Sequence, residues 1–192
     1  AVGDGVTDDT AALAAAIADC DGKVLAFAPG TYCISEKLVI NSAQRWQGRA
    51  GVIIKTIAPE GADDFDGNAI IELAASGIEI DGIELDGSAL EVAEYEAPDG
   101  WLGSMATATG WGILANPASP IILTDIRITN CRILNTPFSG VYLVHCQRAL
   151  VEDCYFEENS TNPTALNTPG ACVLATCYDS DMRHNTVLPT KK

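Results

Sequence analysis

Short runs of alternating apolar and polar positions recur along the second half of the chain. Residues 126–133 read Ile-Arg-Ile-Thr-Asn-Cys-Arg-Ile, with alternating apolar positions, a polar turn, a small residue and a further apolar position. The same order recurs at 149–156, at 180–187 and, upstream, at 78–85. Alternation with a period of two is typical of strands that bury one face. Repetition of such a unit predicts an all-β architecture of stacked coils.

The spacing between these repeats supports the stacking. The successive offsets are 48 (126 − 78), 23 (149 − 126) and 31 (180 − 149) residues. A second apolar run, 141–146, recurs at 172–177, again 31 residues later (172 − 141). Unequal offsets are expected where loops of different length leave otherwise equivalent coils. We therefore predict about five coils in residues 41–192, with a long inserted loop at 86–112.

The predicted register can be tested against the charged residues. Stacked parallel strands place equivalent residues about 4.8 Å apart, so outward side chains of opposite charge should face each other. The offsets give four such pairs, which are Glu79 with Arg127, Glu84 with Arg132, Asp125 with Arg148, and Glu152 with Arg183. Each exposed pair stabilises the fold by only about 0–1 kcal/mol, so the pairs are evidence for the register more than for stability.

The same offsets also align cysteines and turn residues. They stack Cys131 on Cys154 and Cys146 on Cys177, and they bring Asn130, Asp153 and His184 to one turn position. Side chains stacked in register point the same way and do not reach disulfide geometry. We predict that these cysteines are reduced and lie inside the coil as small residues. His184 is predicted to be structural.

The N-terminal residues follow a different pattern. An Ala-rich segment, 11–20, has Leu13, Ile17 and Cys20 at helical spacing. Thr7 or Asp8 is predicted to cap this helix. Apolar runs at 23–27 and 38–40 flank the turn signal Pro29-Gly30 and predict two strands. Residues 1–40 are therefore interpreted as an N-terminal cap, made of the helix and the first strands, and residues 41–192 as the coils.

The opening of the chain resembles a known superfamily. Gly-Asp-Gly-Val-Thr-Asp-Asp-Thr-Ala-Ala (3–12), a short helix, a strand and Pro-Gly-Thr-Tyr (29–32) resemble the start of pectate-lyase-superfamily β-helices. Phage tailspikes, bacterial polysaccharide lyases and alginate epimerases share this start. The resemblance covers residues 3–40. It implies a right-handed parallel β-helix with an N-terminal capping α-helix that covers the open end of the core, and a role with polysaccharide.

The amino-acid composition argues against several classes of binding partner. The formal net charge of −15 argues against binding to nucleic acid or to an anionic membrane, because such ligands require basic surfaces. Seven cysteines without zinc-like spacing, and no recognisable phosphate-binding or dinucleotide motif, lead us to predict no metal site and no cofactor. No signal peptide is recognisable in this chain, and a continuation in a longer protein is expected.

The predicted long loop supplies candidate carbohydrate-binding residues. Asp86, Tyr95, Trp101 and Trp111 lie in or beside 86–112. Aromatic rings can stack on sugars, and a carboxylate can accept hydrogen bonds from hydroxyl groups. The alternative is that some of these aromatic side chains pack the loop onto the coil. A loop of this length in a compact fold is usually either functional or disordered.

Tyr142, His145 and Arg148 are the candidate catalytic residues. Tyr142 is predicted to point outward beside His145 and Arg148. Proton abstraction next to a carboxylate needs a base and a neutralising cation, which these residue types can supply. The segment Ser139–His145 is similar to the region in which alginate epimerases carry Asp-Pro-His, but here Leu143 and Val144 precede His145.

The expected function is therefore that of a phage tailspike-like β-helix that binds cell-surface polysaccharide, with depolymerisation by a lyase or a hydrolase left open. The resemblance implies a homotrimer or larger virion assembly, located on a virion tail or outside the cell. Two alternatives stay open. One is a soluble bacterial polysaccharide lyase, and the other is a non-catalytic structural or adhesin β-helix.

Overall fold

The computed structural model describes residues 1–62, 65–90, 110–159 and 170–188. The fold is a right-handed parallel β-helix with one α-helix at its N-terminal end, which confirms the predicted fold class. In chain order, the elements are β1 (Asp4–Asp8), α1 (Thr10–Ala18), β2 (Val24–Ala26), β3 (Gly30–Ile34), β4 (Glu36–Ile40), β5 (Gln44–Gln47), β6 (Val52–Thr56), β7 (Asp66–Leu73), β8 (Ile78–Asp81), β9 (Glu84–Asp86), β10 (Trp111–Ala115), β11 (Leu123–Thr124), β12 (Arg127–Thr129), β13 (Arg132–Leu134), β14 (Ser139–Val144), β15 (Cys146–Gln147), β16 (Leu150–Glu152), β17 (Tyr155–Glu157), β18 (Cys172–Ala175), β19 (Asp181–Arg183) and β20 (Thr186–Val187).

The strands form three long parallel sheets. The first sheet has the order β1-β3-β6-β9-β13-β17-β20, the second β18-β14-β10-β7-β4, and the third β19-β16-β12-β8-β5-β2. A short sheet, β11-β15, lies in the connection from the second sheet to the third. The chain visits the three long sheets in turn and then begins the next coil. In the described residues this gives five successive coils, which begin at β3, β6, β9, β13 and β17.

The strand register confirms the offsets predicted from the repeats. In the third sheet Glu79 pairs with Arg127, Arg127 with Leu150, and Leu150 with Asp181. In the second sheet Val141 pairs with Cys172. The hydrophobic repeat therefore identified equivalent positions of stacked coils correctly.

The core is a set of apolar columns that run along the axis of the helix. Ile54, Leu85, Ile133 and Phe156 are successive partners in the first sheet, and each is completely buried. Burying such a side chain contributes about 1.5–3 kcal/mol. Each coil adds one residue to every column, so the core lengthens with the number of coils.

The corner from the third sheet to the first has a left-handed residue in each of the last four coils. Gly82, Asn130, Asp153 and His184 have φ values of 70°, 53°, 53° and 56°. Glycine, asparagine and aspartate adopt this conformation at the lowest cost. The shared turn position predicted for Asn130, Asp153 and His184 is confirmed.

After Asn130, Asp153 and His184 the next side chain points into the coil and contacts backbone groups, whereas the residue after Gly82 is the apolar Ile83. The thiol of Cys154 approaches the Ile128 carbonyl oxygen, with the sulfur 3.6 Å away. One coil later Asn185 donates to the Val151 carbonyl and accepts from the Cys154 N–H, both at 2.9 Å. The cysteines are free, as predicted. Small polar side chains at this position thus satisfy buried backbone groups.

The N-terminal helix covers one end of the core through Leu13 and Ile17, which are both buried. The predicted N-cap, Thr7 or Asp8, is wrong, because Asp9 occupies that position. The Asp9 carboxylate accepts instead from the Val2 and Gly3 N–H groups. Asp8 still accepts from the first helical N–H, that of Thr10, at 2.9 Å.

Two further points concern the N-terminal segment. The strands β3 and β4 lie within residues 1–40 but already belong to the first coil, because they pair with β6 and β7 of the next one. The part of the chain that the structure describes contains no helix long and apolar enough to cross a membrane.

Close packing between coils makes glycine necessary at several positions, and Gly112 is one of them. A Cβ added at Gly112 would collide with the backbone carbonyl oxygen of Gly140 in the next coil, whereas a Cβ at Gly170 would meet its nearest atom at 4.0 Å. We expect Gly112→Ala to lower the free energy of unfolding by about 1–3 kcal/mol, since backbone cannot move aside cheaply. Urea denaturation should show the loss. Gly170→Ala is the matched control, and equal stability of the two variants would contradict this packing.

Candidate functional site

Loop length varies most at one corner of the β-helix, the corner from the first sheet to the second. Residues 57–65, 87–110 and 158–171 make this connection in the second, third and fifth coils, whereas Ser35 alone makes it in the first. At the corner from the third sheet to the first, each of the last four coils uses only two residues. We call the three long connections the corner insertions. Variable loops on a rigid scaffold are where binding residues are usually found.

Hydrogen bonds hold the described ends of the corner insertions to neighbouring coils. The Gly110 N–H donates to the Asn68 carbonyl, and the Phe138 N–H donates to the Gly110 carbonyl, both at 3.0 Å. The Phe65 N–H donates to the Ala89 carbonyl at 3.2 Å, which joins the first insertion to the second. The insertions therefore leave the scaffold from fixed and adjacent positions.

The corner insertions border the outward surface of the second sheet, which we call the outer face. Its central column consists of Val39, Glu72, Leu114, Tyr142 and Val173, which are successive register partners. The column lies between buried columns that point into the coil. Its members are mainly apolar, although they point away from the main core.

An aromatic cluster packs on this outer face. The ring centroid of Trp111 lies 4.4 Å from that of Phe138 and 4.4 Å from that of Tyr142. Ala69 and Leu114 complete the cluster, and all five side chains are buried. Val173 and Ala175 pack against it while still partly exposed. The cluster thus forms a second, smaller core outside the coil.

The predicted carbohydrate-binding residues have different environments. Trp111 has no exposed surface. Asp86 ends β9 where the second insertion begins, and its carboxylate accepts from the Asn135 side chain at 2.8 Å and the Ser88 N–H at 3.1 Å. Tyr95 and Trp101 lie outside the described residues. Sugar binding by these four side chains stays a prediction.

The predicted catalytic residues lie on consecutive parts of the fourth coil. Tyr142 points outward from β14, but its ring is buried in the aromatic cluster, and this burial raises the pKa of its hydroxyl. His145 follows β14 at a left-handed corner with φ of 50°, and its Nδ1 is buried without a hydrogen-bond partner. Arg148 binds Asp125 through two hydrogen bonds, of 2.8 and 2.7 Å.

No hydrogen bond or ion pair among the described residues joins any two of Tyr142, His145 and Arg148. A raised pKa makes Tyr142 a poorer base near neutral pH, since a general base should titrate close to the working pH. The Asp125 carboxylate already neutralises the charge of Arg148, so Arg148 can offer a substrate carboxylate only its remaining N–H donors. The catalytic role of the three residues stays a prediction.

Ion pairs between coils follow the predicted ladder with one change. Three of the four predicted pairs form, which are Glu84–Arg132 at 3.1 Å, Asp125–Arg148 at 2.7 Å and Glu152–Arg183 at 2.6 Å. Glu79 faces Arg127 in the register, but its ion pair is with Arg45, at 3.6 Å, in the preceding coil. A carboxylate between two coils can pair with a cation of the preceding coil or of the next one. Sequence spacing does not predict which of the two pairs forms.

The outer face has an ion pair of its own, which the sequence repeats do not reveal. Lys37 of β4 binds Glu72 of β7 at 2.6 Å and donates to the Asn68 side chain at 3.1 Å. The repeats did not reveal it because the pairing of β4 with β7 contains a register shift. Both side chains keep part of their surface in solvent.

One group of described residues has the composition of a metal site. Potential ligand atoms of Glu152, Asp153 and His184 lie within 4.8 Å of one another. The Glu152 Oε1 atom, which lies 3.5 Å from His184 Nδ1, accepts from Nε of the Arg183 guanidinium at 2.6 Å. Hydrogen bonding by Arg183 lowers the pKa of Glu152, so the pair is an ionised surface ion pair. We interpret the group as part of the charge ladder between coils.

Comparison with known families agrees with the fold. The family model described as rhamnogalacturonase A/epimerase, pectate lyase-like, matches residues 1–90, just under half of the chain. None of the curated proteins matches the chain. The family match supports the pectate-lyase-like superfamily and, together with the parallel coils, indicates a β-helix protein related to polysaccharide.

The pairing of Asp125 with Arg148 generates a measurable prediction. Hydrogen bonds from Arg148 lower the pKa of Asp125 from 3.8 to about 2. The ionised form is therefore favoured by folding, so its contribution to stability is complete above pH 3.8 and is lost as the pH falls through about 2. In Arg148→Met we expect the pKa of Asp125 to return towards 3.8. Titration of the carboxyl by NMR measures it, and an unchanged pKa would exclude Arg148 as the cause.

Proposed function

We propose that this chain is the polysaccharide-binding β-helix of a tailspike-like protein. The observation that carries the proposal is the concentration of the corner insertions beside the outer face of one sheet. The superfamily match supports polysaccharide as the ligand class. A homotrimer, or a larger assembly on a virion tail or outside the cell, belongs to the same proposal and rests on the resemblance.

The outer face suits an extended polymer for geometric reasons. The equivalent positions of successive coils lie about 4.8 Å apart, so the surface continues along the axis of the helix. The buried aromatic cluster holds this surface rigid, and Val173 and Ala175 are partly exposed on it. Rigid sites bind with less loss of conformational entropy than flexible ones.

Binding without cleavage is favoured as the function of the described residues. Tyr142 is buried, and Arg148 is paired with Asp125. Tyr142 would have to change its environment before it could act on a substrate, and the charge of Arg148 is already neutralised by Asp125. A soluble polysaccharide lyase remains the alternative if the protein proves to be catalytic.

The binding surface can be tested by steric blocking. Ala175 lies on the outer face, while Ala26 lies on β2 of the third sheet and is exposed. We expect Ala175→Trp to weaken polysaccharide binding about tenfold or more, a loss of about 1.4 kcal/mol, because the larger side chain would occupy the contact surface. Ala26→Trp is the matched control. Affinity electrophoresis in gels that contain polysaccharide measures the binding, and equal retardation of both variants would place the site elsewhere.

The catalytic alternative requires a separate experiment. If Tyr142 and His145 perform proton transfer, Tyr142→Phe combined with His145→Ala should lower depolymerisation about 10²–10⁴-fold, the usual contribution of general acid–base catalysis. Release of unsaturated or reducing ends from the polysaccharide measures the activity of the full-length protein. Unchanged depolymerisation would remove both residues from the mechanism, and circular dichroism controls for folding.

A further inference from the structure

We infer that Lys37, Asn68 and Glu72 form a sugar-binding subsite on the outer face, which holds two neighbouring hydroxyl groups of the polysaccharide. This inference rests on the proposed function and names residues of its binding site. It follows from the hydrogen-bonding groups that these three side chains have not used, and from the apolar surface beside them.

The three side chains form one hydrogen-bonded group between the first and second coils. The Lys37 ammonium binds the Glu72 carboxylate at 2.6 Å and donates to the Asn68 side-chain carbonyl at 3.1 Å. The side chains of Lys37 and Glu72 are 26% and 34% exposed. A ligand can therefore reach a group of side chains that already hold one another in place.

An irregularity in the second sheet positions Asn68. Between the register pairs Glu36–Asp66 and Leu38–Ile71, β4 advances by two residues and β7 by five. Asn68 is one of the extra residues of β7. Bulges of this kind are over-represented next to active sites, where they redirect a side chain. Regular pairing would already join the two coils, so the bulge adds a polar side chain that the ion pair itself does not need.

Close contact with the bulge also fixes the stem of the lysine. Gly67 has a φ of 144°, and a Cβ added there would lie 2.8 Å from the Cβ of Lys37. The backbone carbonyl of Asn68 accepts from the Gly110 N–H, at the end of the second corner insertion, at 3.0 Å. The subsite is therefore attached both to β4 and to the base of this insertion.

The unused hydrogen-bonding groups match a pair of sugar hydroxyls. Among the described residues, no acceptor binds the amide N–H groups of Asn68, and Lys37 alone donates to the Glu72 carboxylate. A hydroxyl group both donates and accepts, so one hydroxyl can donate to Glu72 while its neighbour accepts from Asn68. Hydrogen bonds to the carboxylate are stronger than those between neutral groups. A ligand carboxylate would be repelled by Glu72, so hydroxyl groups are the better partners.

An apolar surface lies beside these polar groups. In the central column of the outer face, Glu72 lies between Val39 and Leu114, and Val39 is 40% exposed. Sugar rings present apolar C–H faces as well as hydroxyl groups. Ligand sites typically combine an apolar lining with a few polar groups that fix orientation. The subsite has both parts.

A matched ion pair on another sheet provides the control. Arg45 and Glu79 also join the first two coils, at 3.6 Å, but they lie on the third sheet. We expect Glu72→Ala to weaken polysaccharide binding about tenfold or more, because a charged acceptor is lost, and Glu79→Ala to leave it unchanged. Asn68→Ala should weaken binding several-fold. Each glutamate variant removes one carboxylate and one ion pair, so an equal response of the two would overturn the inference.

A panel of polymers tests the ligand class. Affinity electrophoresis would use dextran and galactan, which carry neighbouring hydroxyl groups on neutral sugars, and polygalacturonate and alginate, which carry them on uronates. Laminarin is the control, because its backbone sugars have no two neighbouring free hydroxyl groups. We expect wild-type protein to bind laminarin more weakly than the best of the other polymers, and Glu72→Ala to leave laminarin binding unchanged. An equal loss for laminarin would overturn the inference.

The two levels of the proposal can be separated. Binding that is weakened by Ala175→Trp but not by Glu72→Ala would overturn the subsite and leave the proposed function intact. Failure of the wild-type protein to bind any of the five polymers would overturn both. Urea denaturation of Glu72→Ala and Glu79→Ala controls for folding, and the two are expected to unfold at similar urea concentrations.

Discussion

Parallel stacking in register is the constraint on which the rest of this structure depends. Each strand donates and accepts backbone hydrogen bonds along the axis of the helix, so a residue in one coil lies over its equivalent in the next. Apolar residues thereby become continuous buried columns such as Ile54, Leu85 and Ile133. A shift of one residue would turn every inward side chain outward. The hydrophobic pattern therefore specifies the register strongly, and loop length is left free to vary.

Because this register fixes the strands, the residues at the corners must make the turns and satisfy the backbone groups that lie there. Backbone groups at a corner lie at the edge of the sheets, and the chain must turn there within two residues. Left-handed residues such as Asn130 and Asp153 make the turn, and the next side chain points inward to a backbone group of a neighbouring coil. Cys154 and Asn185 are equivalent in this respect, because both place a polar atom beside buried backbone. An amide satisfies two groups with ordinary hydrogen bonds, whereas a thiol is a weaker donor.

Sequence reasoning succeeded where a feature repeats and failed where it occurs once. Offsets of 48, 23 and 31 residues identified the strand pairing because several columns repeat it. The ion pair of Lys37 with Glu72 occurs at a register shift, and no repeat signals it. Tyr142 shows a second limit of prediction from the sequence. Alternation correctly gives its outward direction, but it cannot show that Trp111 and Phe138 bury the ring on that side. A side chain that points outward is therefore not always exposed, because a second cluster can bury it on the outside of the coil.

The same distinction explains why the outer face differs from the other surfaces. In the first and third sheets, outward positions carry ion pairs from coil to coil, each of which contributes little to stability. In the second sheet the ion pair of Lys37 with Glu72 joins the first two coils, and an apolar column with an aromatic cluster occupies the outward positions of the later ones. Apolar side chains on the outside of a coil do not extend its main core, and charged residues would keep the surface more soluble. Their presence beside the corner insertions therefore supports the proposal that this surface binds a ligand.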